Sequence, residues 1–177
     1  TAVRDGHSVD TTLGFGTMCG VPMGTRSGDF DPAVVLHLID HLGMSTREVH
    51  DVIYKESGLK GLSGISSDMR DVEQAAEGGN ERAGLALDIY AHGARKYVAA
   101  LATTLEGPLD AVVFTAGVGE NGAEMREKIC SGLEVLGVHL DAVKNRVRGK
   151  EAVVSRDDSP VKVLVVPTNE ELMIALE

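Results

Sequence analysis

The stretch VVFTAGVGENGAEMREKI, Val112 to Ile129, changes character twice. An apolar run gives way to two glycines, an acid and an amide, and then a helical apolar period sets in. Leu109 to Thr115 reads as a strand buried on both faces. Gly117 and Gly119 allow backbone angles closed to other residues. The helix expected from Asn121 to Leu136 carries Met125, Ile129, Leu133 and Leu136 on one side, and its first turn offers free N–H groups. A second apolar run, Val161 to Val166, ends in PTNEEL, where Thr168 and Glu171 are spaced as a capping box for a last helix. Strand, helix, strand is a βαβ unit, and such sheets bind ligands at the carboxyl ends of their strands. The loops Gly117–Asn121 and Thr168–Glu170 are therefore expected to line one crevice.

Upstream the pattern is mostly helical. Asp5-Gly6 marks a hairpin between short arms. Residues 13–29, rich in Gly, Thr and Met, read as a structured loop. Asp31 caps a helix with Pro32 at its first position, apolar at Val35, Leu38, Ile39 and Leu42. Ser45 and Glu48 form a capping box for a second helix, to about Ser57. Leu59 to Ser67 reads as a loop, Asp68 caps a short helix to Glu77, and Asn80 opens the longest helix, to about Glu106. Gly107-Pro108 ends it. Short strands are expected near 138–140 and 152–155.

Composition narrows the function. The 177 residues are 43% hydrophobic, enough for a core, and the formal net charge is −10. An acidic chain with 3% aromatics lacks both the basic surface and the stacking platforms of a nucleic-acid binder. Neither Cys19 nor Cys130 belongs to a C-x-x-C pair, which argues against a zinc ribbon and fits a reducing, cytoplasmic setting. No apolar run approaches a membrane span and no signal peptide is evident. The chain opens on Thr1 rather than Met, as a processed product or a fragment does.

Four places carry candidate chemistry, each beside a plainer reading. The loop Gly117, Val118, Gly119, Glu120, Asn121 suits a flat ligand lying on backbone, with Glu120 accepting from ribose hydroxyls and Asn121 donating and accepting; otherwise it is a tight strand-to-helix turn. Arg26, in GTRSGDFDP, offers a guanidinium fork for a phosphoryl or carboxylate group, or else pairs with Asp29 or Asp31 at the surface. Asp68-Met69-Arg70 alone is a capped helix start. Glu170 and Glu171 complement a helix dipole, or supply hard oxygen to Mg²⁺. His37, Asp40 and His41 invite a metal reading, because His at i and i+4 share a helix face, but no third ligand is evident and they read as a solvated surface.

Taken together, MGTRSGDFDP, SSDMRD, FTAGVGENGAEMR and PTNEELMIA resemble, in order, the carboxyl-terminal half of the acetate kinase family, and TAVRDGHSVDTTLGF resembles its hairpin. The resemblance implies an α/β ribonuclease-H-like, actin-like ATPase domain over residues 1–177, incomplete at its amino-terminal edge. It implies phosphoryl transfer between ATP and acetate, giving ADP and acetyl phosphate, with Mg²⁺. It places Arg26 at the phosphoryl group, Asp68, Met69, Arg70 and Gly117 to Asn121 at the nucleotide, and Glu170 at the metal. It also implies a homodimer through this half, with the helix Asn80–Glu106 as a candidate face.

The family's amino-terminal domain, a second Arg, an Asp and a His of its active site, and a His-x-Gly-x-Gly phosphate loop are not in these residues, so the chain alone is expected not to turn over. The family's Thr-Pro-Leu-Glu-Gly stretch is here Gly16, Thr17, Met18, Cys19 and Gly20, with Thr17 in the place of a Pro that walls the acyl pocket. Propionate or butyrate kinase is therefore an alternative, as is a non-catalytic module that binds nucleotide or mediates dimers.

Overall fold

A computed structural model describes residues 1–169 and Ala175. The chain divides into two compact units, residues 1–97 and 98–177. Among the described residues no helix is long and apolar enough to cross a membrane.

The first unit opens with the expected hairpin. Strands β1 (Ala2–Arg4) and β2 (His7–Asp10) pair antiparallel with Arg4 opposite His7. Asp5 and Gly6 both take positive φ, 53° and 78°, the turn whose twist matches that of the flanking strands. Five helices follow: α1 (Ala33–Asp40), α2 (Thr46–Lys55), α3 (Gly58–Ser63), α4 (Met69–Glu77) and α5 (Glu81–Ala102). Their starts follow capping chemistry. The Asp31 carboxylate accepts from Ala33 N at 2.9 Å. Ser45 and Glu48 close a reciprocal capping box, Asp68 accepts from Arg70 N, and Asn80 Oδ1 accepts from Ala83 N at 3.0 Å. Each side chain satisfies a backbone donor that the helix leaves without a partner. Val49, Leu59, Met69, Val72, Ala83, Ala86, Leu87 and Ala91 are buried.

Two expectations in this unit are corrected. The stretch 59–67 is not all loop, because α3 occupies its first half. Neighbouring chain rather than propensity holds α3 there: Ser57, Leu59 and Lys60 donate to the carbonyls of Thr25, Met23 and Gly24. The Arg82 guanidinium then takes the carbonyls of Gly61 and Leu62 at the far end of α3, where a cation complements the dipole. The longest helix also ends earlier than expected. It tightens into a 3₁₀ turn at Thr103–Leu105, and Glu106 reverses the chain at φ 54° before Gly107 is reached.

The second unit carries a three-stranded sheet of β3 (Ala111–Phe114), β4 (Ala152–Val153) and β5 (Lys162–Val165), in the order β3-β5-β4. β3 and β5 are parallel with Val112 opposite Val163, as the βαβ reading requires, and β4 runs antiparallel to β5. Bridges at Val138 and Leu140 stand where a short strand was expected. Val112, Cys130, Leu133, Val138, Val154, Val161, Val163 and Val165 form the core. β3 is not buried on both faces, however. Val113 is 52% exposed, and in register with it stand the half-buried Leu164 and the exposed Val153, so one face of the sheet is apolar and open.

The region after β3 also differs from expectation. It forms two short helices, α6 (Ala116–Asn121) and α7 (Ala123–Cys130), interrupted at Gly122. The expected run to Leu136 is cut after Cys130, where Gly132 takes φ 96°, and residues 134–136 form a separate 3₁₀ turn. The last helix expected after Thr168 falls outside the described residues.

Gly58 tests how α3 is fixed. Its φ is +60°, and a Cβ there would overlap the Met23 carbonyl oxygen. Gly58→Ala is expected to destabilise the chain by about 2–4 kcal/mol, read from the urea unfolding midpoint.

Candidate functional site

In the first unit three polar loops converge. The 16–20 loop and the GTRSGD segment are locked together by Asp29, whose N donates to Gly20 O while its carboxylate accepts from Gly20 N at 2.8 Å. Gly28 makes this approach possible: φ is +70°, and a Cβ would lie 2.6 Å from Gly20 O. Gly24 faces the third loop, since a Cβ there would lie 2.9 Å from Ser67 O, next to Asp68. The structure therefore brings Arg26 and Asp68–Arg70 onto adjoining backbone.

Arg26 is half-buried. Its Nη1 donates to Thr17 Oγ1 at 2.9 Å and to Thr17 O at 3.3 Å, with Met23 Sδ at 4.0 Å. The surface pairing with Asp29 or Asp31 does not form. Asp29 is bound to Gly20 and Asp31 caps α1, and among the described residues no carboxylate reaches the guanidinium.

Arg70 has the opposite arrangement. Its Nε and Nη2 donate to Asp68 Oδ1 and Oδ2 at 3.0 and 2.6 Å, a two-pronged pair on an exposed side chain. Asp68 also accepts from Arg70 N at 2.9 Å. The Arg70 hydrogen bonds, side chain first and then backbone, hold the Asp68 carboxyl down at about 2. Met69 is buried and packs rather than facing outward.

In the second unit the segments that follow the two parallel strands meet at the strands' carboxyl ends. Thr168, just past β5, donates its backbone N–H to Glu120 Oε1 at 2.9 Å and approaches the same oxygen with its hydroxyl at 3.3 Å. One Glu120 oxygen is thus spent on the neighbouring loop; the other, Oε2, carries no hydrogen bond among the described residues. Asn121 Nδ2 donates to Gly117 O at 3.0 Å. Glu170 lies outside the described residues, and among those described no group of three or more His, Cys, Asp or Glu is placed to hold a metal.

The glycines act differently from expectation. Neither Gly117 nor Gly119 takes positive φ; the strained residue is Ala116, at φ 58°. For a residue with a Cβ this is a costly conformation, and it turns the chain from β3 into α6. Gly119 serves close packing, because a Cβ would lie 3.1 Å from the Phe114 carbonyl carbon. Gly117 meets nothing within 4 Å and leaves open space above the turn.

Sequence reasoning missed Arg126, which is fully buried. Its Nη1 donates to Gly119 O at 2.7 Å, its Nε to Asn145 Oδ1 at 2.8 Å, and its Nη2 to Asn145 O and Val147 O at 2.7 and 2.8 Å. Asn145, also buried, donates in turn to Ala123 O. Burial pushes the Arg126 pKa down, and the charge of nearby Glu124 opposes that shift. The guanidinium ties the Gly turn to the 145–147 segment, and Gly149 N adds a bond to Glu120 O. The only signal in sequence is its position one residue after the apolar Met125 of the α7 stripe, where a charged residue reads as flanking surface.

The profile of the Acetokinase family matches residues 1–176. The chain is 53% identical over 177 residues to the acetate kinase of Desulfitobacterium hafniense, covering all of this chain and 44% of that protein. It is 56% identical over 176 residues to the acetate kinase of Caldanaerobacter subterraneus subsp. tengcongensis, covering 99% of this chain and 44% of that protein. The crystal structure of Porphyromonas gingivalis acetate kinase superposes with a TM-score of 0.94 at 45% identity, over 98% of this chain and 44% of that one. A propionate kinase from Francisella tularensis subsp. tularensis gives 0.92 at 43%, over 99% of this chain and 44% of that one. The chain spans less than half the length of these relatives, and its fold is that of the actin-like ATPases.

Two outcomes test the site. Replacing Arg126 by Met leaves three carbonyls and the Asn145 amide oxygen without a donor, and is expected to cost about 3 kcal/mol or more in urea unfolding. Asp68 is expected to titrate with a midpoint of about 2 by carboxyl ¹³C NMR. Because its folded pKa is depressed, the stability it contributes is present above the unfolded value of about 3.9 and is lost as pH falls through about 2. Arg70→Ala should move that midpoint up.

Proposed function

Because the chain belongs to the acetokinase family, we propose that it supplies the nucleotide-binding, carboxyl-terminal part of a kinase that moves a phosphoryl group reversibly between ATP and acetate. The observation that carries this reading is Arg26, a half-buried guanidinium anchored through one nitrogen with no carboxylate neutralising it among the described residues. Phosphoryl transfer depends on positioning and charge neutralisation rather than on covalent chemistry. A fixed cation at the transferring group stabilises charge as it spreads over the equatorial oxygens. The acceptor carboxylate is already ionised near neutral pH and requires no strong base.

In this reading Gly117, Val118, Gly119, Glu120 and Asn121 carry the adenosine portion and Asp68, Met69 and Arg70 make further nucleotide contacts, Met69 through its backbone. The open space over Gly117 and the unengaged Glu120 Oε2 support the first assignment. Arg70 would exchange or share its Asp68 contacts when nucleotide binds. Glu170 would hold Mg²⁺, a hard carboxylate ligand for a cation that keeps several waters and phosphate oxygens; bound there, the ion neutralises phosphate charge. The reading extends to a cytoplasmic homodimer formed through this part, with no nucleic-acid or membrane partner, in keeping with the net charge of −10.

A second reading, propionate as acceptor, is favoured by one residue. Thr17, beside Arg26, stands where a Pro walls the family's acyl pocket, and the Francisella tularensis relative is named a propionate kinase. Relative rates with acetate, propionate and butyrate in a form of the protein that includes the family's amino-terminal domain would separate the two.

Calorimetric titration of the 177-residue chain with ADP and Mg²⁺ tests the nucleotide site. Saturable binding is expected, weakened about five- to tenfold by Asn121→Ala, on the order of one hydrogen bond. The same chain is expected to show no acetate-dependent phosphoryl transfer, and robust turnover would refute that.

A further inference from the structure

The hydrogen bonds of Arg26 are unevenly distributed. All three acceptors within reach, Thr17 Oγ1, Thr17 O and Met23 Sδ, lie on Nη1. Among the described residues Nε and Nη2 have no hydrogen-bond partner. A guanidinium presents its donors in a rigid plane, and its Nε–Nη2 edge is one of the two that match a pair of oxyanion oxygens. Which edge faces a ligand depends on what holds the rest of the plane. Here the Thr17 residue grips one corner with both its carbonyl and its hydroxyl, and the opposite edge is left to bind.

We propose that Thr17 is a positioning residue that sets the roll of the Arg26 guanidinium, so that its Nε–Nη2 edge is presented to a phosphoryl oxyanion. The inference rests on the role given to Arg26 above. Thr17 sits in a loop that cannot drift from Arg26, because Gly20 and Asp29 exchange two hydrogen bonds between the two segments. The backbone acceptor, at 3.3 Å, is available whatever residue stands at 17. The side-chain acceptor, at 2.9 Å, needs a hydroxyl. Thr and Ser supply it; Val and Pro do not. The hydroxyl is thus a discretionary second hold on the cation, and toward the phosphoryl oxyanion it acts through the cation's orientation.

The test uses side-chain ¹⁵N NMR of the 177-residue chain, with the Arg26 Nε–H signal assigned by its loss in Arg26→Lys. In the parent chain the signal should shift saturably on addition of inorganic phosphate. Thr17→Val should lower the apparent phosphate affinity about fivefold and let Nη1 and Nη2 protons exchange faster by rotation. Thr17→Ser should restore both to within about twofold. Backbone spectra and the urea midpoint of each variant identify any loss of fold, and the serine variant carries the comparison should valine unfold the loop. An unchanged affinity and rotation rate in Thr17→Val, or no rescue by serine, would overturn the inference while leaving Arg26 its role. An Arg26 signal indifferent to phosphate in the parent chain would overturn both, and the ADP titration would then stand or fall separately.

Discussion

A cation with no anion holds the second unit in shape. Arg126 is fully buried, and four donor bonds from its guanidinium end on neutral oxygens, three of them backbone carbonyls. Burying a charge is expensive unless hydrogen bonds replace its water. Here they do, and the acceptors come from two places far apart in sequence, Gly119 and the 145–147 segment. The turn after β3 is thereby fixed by the packed side of the sheet as well as by its own backbone. Ala116 can then keep a conformation unfavourable for alanine, because its surroundings leave no cheaper alternative. Glu120, held from behind by Gly149 N and in front by Thr168, inherits its place from the same clamp.

The first unit solves a similar problem with glycine. Its polar loops pack backbone against backbone, which only residues lacking a Cβ permit at Gly24, Gly28 and Gly58. The close approach leaves little room for the Arg26 segment to drift, and the helix α3 that braces it exists because residues 23–25 offer carbonyls to it. In both units the described candidate residues stand on segments fixed by their neighbours rather than on free loops.

What could be read in the sequence was the chemistry that acts locally. Caps at Asp31, Ser45, Asp68 and Asn80 and the Asp5-Gly6 turn depend on residues a few positions apart; the parallel pairing of two apolar runs is long-range, but it follows from the strand-helix-strand order; all are present. Apart from the helix ends at Glu106 and Gly132, where a local positive φ turns the chain, the errors have one origin. Helix α3, the helical form of Gly117–Asn121, the exposure of Val113 and the burial of Arg126 are decided by partners distant in sequence, and periodicity carries no record of them. Gly117 and Gly119 were expected to adopt special angles; they serve space and close packing, and the angle fell to Ala116. The motifs of the acetokinase family coincide with these positions, and the contacts of each residue decide what it does there.

The partners of Arg126 have a consequence for how the protein meets its surroundings. Carbonyls and an amide neither titrate nor attract counterions, so acid and salt leave that clamp alone. The Asp68–Arg70 pair is exposed and joins two opposite charges, and both protons and electrolyte weaken it. The two parts of the candidate nucleotide set therefore differ in kind: one keeps its geometry across ionic conditions, and the other loosens as ionic strength rises, freeing an arginine for which a phosphate competes with the aspartate.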